Sequence, residues 1–233
     1  GKYVVQELLE RGQSVKVVVR SKQRMLDALA PSVDKTKLQI TEASFLDLSD
    51  SELEKLIEGC DAAVSCLGHN MTFKGLYGKP RRLVTDSVKR LTTTIQTVNP
   101  SCKFVLMGTD GVSAPGDDKR TFAERIILFL LRHLLPPHAD NEEVAAYLLN
   151  DVGESKQVTW SIVRPTDLID GEAKKFKIHA KPPGGLFGAG ICTRATCAAF
   201  MVHLILDAKA WNEYKFKMPV CHDEDDEGKK QKQ

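Results

Sequence analysis

Long apolar runs, charge of one sign and closely spaced cysteines are all missing from this 233-residue sequence. The longest apolar candidate, Ile126 to Leu135, is interrupted by Arg132 and His133, far short of the roughly 20 residues a membrane helix needs. Lys and Arg number 33 against 31 Asp and Glu, a formal charge of +2. That balance builds no long-range field for nucleic acid or an anionic membrane. Cys60, Cys66, Cys102, Cys192, Cys197 and Cys221 are scattered, with no CxxC. Neither a disulfide framework nor a metal site is expected; buried thiols in a reducing compartment are. No internal repeat and no secretory signal are visible, although a segment ahead of Gly1 would hide the latter.

What is present starts at once. Val4, Val5, Leu8 and Leu9 share one face of a helix that Gly12 is placed to stop. Val15, Val17, Val18 and Val19 follow as a β-branched run suited to a strand buried on both faces. It ends in Arg20-Ser21-Lys22 and Arg24. Helix, glycine turn, buried strand and basic cluster look like the second half of the first βαβ unit of a dinucleotide-binding fold. The first strand and its glycine-rich loop are not in the sequence. Gly1 is therefore expected to be the last glycine of that loop, within a longer protein; the alternative is an arbitrary first residue. The expected location is the cytoplasm, or a mitochondrial or chloroplast interior if a transit peptide precedes Gly1.

Strand and helix patterns then alternate. Gln23–Leu29 reads as a short helix, Lys37–Thr41 as a strand, and Ser49 with Glu52 as the capping box of a helix through Ile57. Asp61–Leu67 reads as a strand stopped by Gly68, Arg81–Val98 as a long helix, and Lys103–Met107 as a strand running into Gly108-Thr109-Asp110-Gly111. Thr121–Leu135 is an apolar helix that Pro136-Pro137 breaks, and His138 to Asn141 start another, Glu142–Leu149. Gln157–Val163 is a strand, 174–190 an irregular lobe or hairpin, Thr193–Leu206 a helix and Tyr214–Met218 a last edge strand. Such alternation demands an α/β, Rossmann-like, doubly wound and mostly parallel sheet with helices on both faces. One domain is expected over 1–222, with a small C-terminal substrate lobe at about 171–192 and a mobile charged tail at 223–233. Ligands bind such sheets at the carboxyl ends of the strands, which places Arg20, Asp47, Gly68 and Thr109 along one edge.

Trp160-Ser161-Ile162-Val163-Arg164-Pro165 resembles the T-I-V-R-P element of the atypical short-chain dehydrogenase/reductase superfamily, in its NmrA-like, NAD(P)H-binding branch. Thr193-Arg194-Ala195-Thr196-Cys197-Ala198 resembles that branch's S-R-A-D-V-A helix start, and Phe104 to Thr109 its fifth strand. The order agrees from Gly1 to about Met218. The resemblance implies that Gly1 opens the helix facing the pyrophosphate. It implies that Arg20, Ser21, Lys22 and Arg24 surround the 2′-phosphate of NADP(H), in preference to NAD(H). A dianionic phosphate suits a guanidinium fork, whereas an NAD site usually carries Asp or Glu here. Asp47 and Leu48 would border the adenine, and Cys66, Leu67 and Gly68 the nicotinamide-side ribose. Thr109 would face the nicotinamide, with Pro165 and Thr166 at its carboxamide end. The plainer alternatives are a solvated strand end for the basic cluster, a helix start for Asp47 and a strand terminator for Gly68.

The superfamily's proton donor, a Tyr with Lys four residues later, is absent. Glu7 follows Tyr3 at that spacing, Arg81 follows Tyr77, Asp151 follows Tyr147 and Met218 follows Tyr214. The lysine that often begins the helix before the sixth strand is missing from Asp140-Asn141-Glu142-Glu143. Thr109, His138 and Asn141 remain as candidate catalytic groups, with capping or surface roles as the alternative for His138. The expected function is an NADP(H)-dependent oxidoreductase acting on a small carbonyl or quinone-like substrate. The alternative is a non-catalytic NADP-binding redox sensor, or an accessory subunit of a larger respiratory or photosynthetic complex, with residues 121–135 meeting a protein partner.

Overall fold

The computed structural model describes residues 1–70, 72–154, 157–185 and 190–224. Helix α1 (Lys2–Glu10) turns at Gly12, φ +73°, into β1 (Val15–Val19). Glycine is required there because a left-handed φ strains any residue with a Cβ. α2 (Lys22–Asp27) returns the chain to β2 (Leu38–Glu42), which pairs parallel with β1, Val17 opposite Ile40. α3 (Asp50–Ile57) carries the predicted capping box, with Ser49 Oγ accepting from Glu52 N and Glu52 returning a bond to the Ser49 amide. β3 (Ala62–Ser65), the short α4 (Phe73–Tyr77), α5 (Leu83–Val98) and β4 (Lys103–Met107) follow. After α6 (Phe122–Leu134) and α7 (Pro136–Ala146) come β5 (Thr159–Pro165), β6 (Asp167–Ile169), β7 (Phe176–His179), β8 (Ile191–Thr193), α8 (Arg194–Leu206), α9 (Ala208–Tyr214) and β9 (Val220–Asp223).

The larger sheet has the order β3-β4-β5-β9-β7, parallel except for the antiparallel β9–β7 edge. β1–β2 and β6–β8 are separate parallel pairs. Both faces of the main sheet are covered, and β4 displays this by its period of two. Phe104 and Leu106 enter one core with Leu53, Val88, Ile95 and Trp160; Val105 enters the other with Val4, Val163, Phe200 and Met201. The α/β doubly wound reading holds.

Several boundaries differ from the sequence reading. Pro136 and Pro137 begin α7 instead of preceding it, because proline lacks only an N–H that the first turn leaves unpaired in any case. The helix then runs through a π-helical turn, Tyr147–Val152. Tyr214 to Met218 is not a strand: Asp207 Oδ1 caps the N-terminus of α9 by accepting from Ala210 N at 2.7 Å, and helix continues to Tyr214. The last strand is β9, placed between β5 and β7. Asp223, read as the first residue of the tail, is buried in β9, where its Oδ1 accepts from Thr193 N at 3.0 Å. The rest of that tail, 225–233, lies outside the described residues, as do 186–189 of the expected lobe. β7, from the same stretch, is an edge of the main sheet.

Candidate functional site

The carboxyl ends of β1 to β5 carry most of the predicted residues. Arg20 leaves β1 exposed, and its Nη2 donates to Asn70 Oδ1 at 3.3 Å, tying the basic cluster to the loop after β3. Ser21 caps α2, its Oγ accepting from Arg24 N at 3.3 Å, so its hydroxyl has a structural role. Lys22 and Arg24 project from the first turn of α2 and are exposed. Gly1 opens α1 beside the end of β3: a Cβ on it would lie 3.9 Å from Cys66 Cβ. Leu67 is half-buried and Gly68 exposed; a Cβ on Gly68 would meet nothing within 4 Å, so open space lies beside it. Asp47 ends a 3-10 turn, exposed, with Leu48 buried behind it. Arg90 fixes that turn by donating to Leu46 O, Leu48 O and Asp50 Oδ1 at 3.1, 2.7 and 2.8 Å.

The ends of β4 and β5 form the centre. Gly108 leaves β4 so close to β5 that a Cβ would sit 2.8 Å from Ile162 Cγ2. Beyond it Thr109, Asp110, Pro165, Thr166, Asp167 and Leu168 line a cavity of about 210 Å³ with Gly108. Thr109, Pro165 and Thr166 are thus brought together. Thr166 is 4 % exposed, and its Oγ1 has no hydrogen-bond partner. A buried hydroxyl left unpaired costs free energy, and one that lines a cavity is placed for a ligand. His138 joins this edge, since a Cβ on Gly111 would lie 3.6 Å from His138 Cε1 and 3.7 Å from Thr109 Oγ1. Burial lowers the His138 pKa, Glu142 opposes the shift and Arg132 adds to it, so the ring is neutral at pH 7. Asn141 does not join: its Nδ2 donates to Pro137 O at 3.0 Å within its own helix.

Sequence reasoning gave no site role to three residues, Asp140, Arg164 and Asp110. Asp140 is buried at the head of α5, where Oδ2 accepts from Val84 N at 2.8 Å and Oδ1 from Thr85 N at 2.9 Å. His69 Nε2 meets the same Oδ2 at 2.8 Å. Arg164 is wholly buried and forks onto Asp117, Nη1 to Oδ2 at 2.6 Å and Nη2 to Oδ1 at 3.0 Å. It also donates to Met218 O and Val112 O, so it straps the loop after β4 to the cavity wall. Asp110 is the third. Burial raises its pKa to about 6, and Asp167 adds to the rise, while Arg120 and Arg164 oppose it. Only Asp110 had a local signal, its place directly after Thr109.

A larger recess of about 360 Å³ lies among Phe176, His203, Lys209 and Tyr214. It is at the other edge: Lys103, which begins β4, donates to Ile205 O at the end of α8 at 2.7 Å. Ligands of parallel sheets take the carboxyl edge, so the smaller cavity is the candidate site.

The family model described as NAD(P)H-binding matches residues 1–208. The chain belongs to the NAD(P)H-binding family. No curated protein matches it. Among solved structures, a protein from Lactobacillus casei superposes with a TM-score of 0.70 at 20 % identity, covering 96 % of this chain and 94 % of that one. An oxidoreductase from Lactococcus lactis gives 0.65 at 15 %, covering 96 % and 85 %. A short-chain dehydrogenase/reductase from Veillonella parvula, in complex with NADP, gives 0.66 at 13 %, covering 97 % and 90 %. These identities speak for the Rossmann-like fold, and the family match for NAD(P)H binding, both as the sequence resemblance implied. The residues at the edge of this NAD(P)H-binding chain fit such a group: basic side chains after β1, open space beside Gly68 and the unpaired Thr166 hydroxyl. No described helix is long and apolar enough to cross a membrane.

Proposed function

We propose that the chain is an NADP(H)-dependent oxidoreductase acting on a small carbonyl or quinone-like substrate. The observation that carries this reading is the cavity at the ends of β4 and β5, where Thr109, Pro165 and the unpaired Thr166 hydroxyl converge. NADPH, when bound, supplies the hydride. The chain's residues bind and orient. Arg20, with Lys22 and Arg24, holds the 2′-phosphate, while Ser21 fixes the turn that presents them. Asp47 and Leu48 border the adenine; Gly1, Cys66, Leu67 and Gly68 border the phosphates and ribose. Thr109, Pro165 and Thr166 hold the nicotinamide end, with the neutral His138 beside them. Steady NADPH oxidation with members of an aldehyde, ketone and quinone panel is the expected result. A protein that binds NADPH and turns over none of them would overturn this reading.

One observation favours a second reading, a non-catalytic NADP-binding subunit or sensor. α6 buries none of its residues fully, and Phe122, Phe129 and Leu134 are 77, 60 and 60 % exposed. An apolar stripe of that kind marks a protein contact. Under this reading α6 meets a partner protein, and the protein isolated from its source travels with one.

A further inference from the structure

We propose that Asp110 is the proton-transfer group of this site, donating from its carboxyl to the substrate oxygen in reduction and taking the proton back in oxidation. This rests on the oxidoreductase reading and supplies the acid that the missing Tyr/Lys pair would have provided.

Asp110 follows Thr109 at the end of β4 and lines the same cavity as the unpaired Thr166 hydroxyl. Its backbone is held on both sides: its N–H donates to Pro165 O at 3.3 Å, and its carbonyl accepts from Arg120 Nη2 at 2.7 Å. The backbone that carries the carboxyl is therefore anchored at the cavity wall. Two of the tyrosines are engaged elsewhere: Tyr77 donates to Leu134 O at 3.1 Å, and the Tyr147 hydroxyl lies 2.9 Å from Thr92 Oγ1.

The surroundings favour a carboxyl that keeps its proton. Asp167 faces it with like charge and is exposed. Arg164 pulls the other way, with its guanidinium forked onto Asp117. Arg120 also pulls the other way, and its Nη1 lies 3.9 Å from Glu124 Oε1. His138, on the α7 side, has its pKa lowered by burial, which disfavours its charged form. Burial then dominates, and an acid titrating at about 6 holds a proton often enough to give it near neutrality.

The step balances. With NADPH bound as hydride source, the carbonyl carbon would gain the hydride, the π pair would pass to oxygen, and the Asp110 O–H bond would break as the new O–H bond forms. The Asp110 carboxylate would then take up one solvent proton, so that carbonyl, NADPH and H⁺ become alcohol and NADP⁺.

The test has two parts. First, side-chain carboxyl signals are titrated by ¹³C NMR without cofactor, in the wild type, Asp110→Asn and Asp167→Asn. A carboxyl titrating at about 6 should vanish in Asp110→Asn and move to lower pH in Asp167→Asn, where the like charge is gone. Second, NADPH binding and turnover are measured against pH. Asp110→Asn should bind NADPH within about twofold of wild type, turn over about 100-fold more slowly, and lose the fall in rate above pH ~6. An Asp110 carboxyl titrating with ordinary aspartates near pH ~4 would overturn the proposal. So would an Asp110→Asn protein that keeps the wild-type rate and pH limb. If the wild type binds NADPH without turnover, the oxidoreductase reading falls and takes the proposal with it. The cofactor-free titration tells that failure from a misassigned acid.

Discussion

Single residues decide how the cavity is held open and what it can do. Arg164 could be seen in the sequence only as part of a family element, because its partners Asp117, Val112 and Met218 are distant along the chain. Truncating one member of a buried ion pair leaves the other charge unpaired, so Arg164→Ala should lose about 3–5 kcal/mol in denaturant unfolding. Asp110 has the opposite energetics. Its folded pKa, about 6, lies above the ordinary 3.8, so the folded state binds the proton more tightly than the unfolded. Stability is then greatest below the unfolded pKa and falls as pH rises from about 4 to 6. Asp110→Asn removes this cost. We expect it to raise stability by on the order of 2 kcal/mol at pH 7.5, allowing for partial exposure, and to change it little at pH 4. Equal changes at both pH values in thermal unfolding would contradict the burial argument. A site residue that destabilises its own fold is common where function sets the environment.

At the scale of elements, local signals were readable and long-range ones were not. The Ser49–Glu52 capping box was visible because both partners lie within one turn; Ser49→Ala should cost about 1 kcal/mol. Asp140 was not. The amides of Val84 and Thr85 that it caps lie on another helix, and only the fold brings them within 2.9 Å. Asp140→Ala leaves two helix amides and His69 without their acceptor, and should cost roughly 2–3 kcal/mol in urea unfolding. The same limit explains the misplaced last strand. Tyr214 to Met218 has the composition of an edge strand, but the Asp207 cap commits that stretch to helix through Tyr214. Asp223 looked like tail because a buried carboxylate is recognisable only once Thr193 and Lys174 stand beside it.

At the scale of the molecule, the alternation of strand and helix and the buried β4 were legible, and from them the sequence reading drew one edge carrying Arg20, Asp47, Gly68 and Thr109. Periodicity sets which face each side chain takes, and parallel topology sets which end of the sheet binds. The acid in the cavity was less legible, since a carboxyl's protonation depends on burial and neighbours that no spacing reveals. The claim joining these scales is that the basic end of β1 selects the phosphorylated dinucleotide. It is tested most directly by titrating the protein with NADPH and NADH, repeated on Arg20→Ala. The account predicts tighter NADPH binding, a loss of about tenfold or more in the variant, near 1.4 kcal/mol, and NADH binding that hardly moves. Binding of neither nucleotide, or an Arg20→Ala protein that holds NADPH as tightly as wild type, would contradict it.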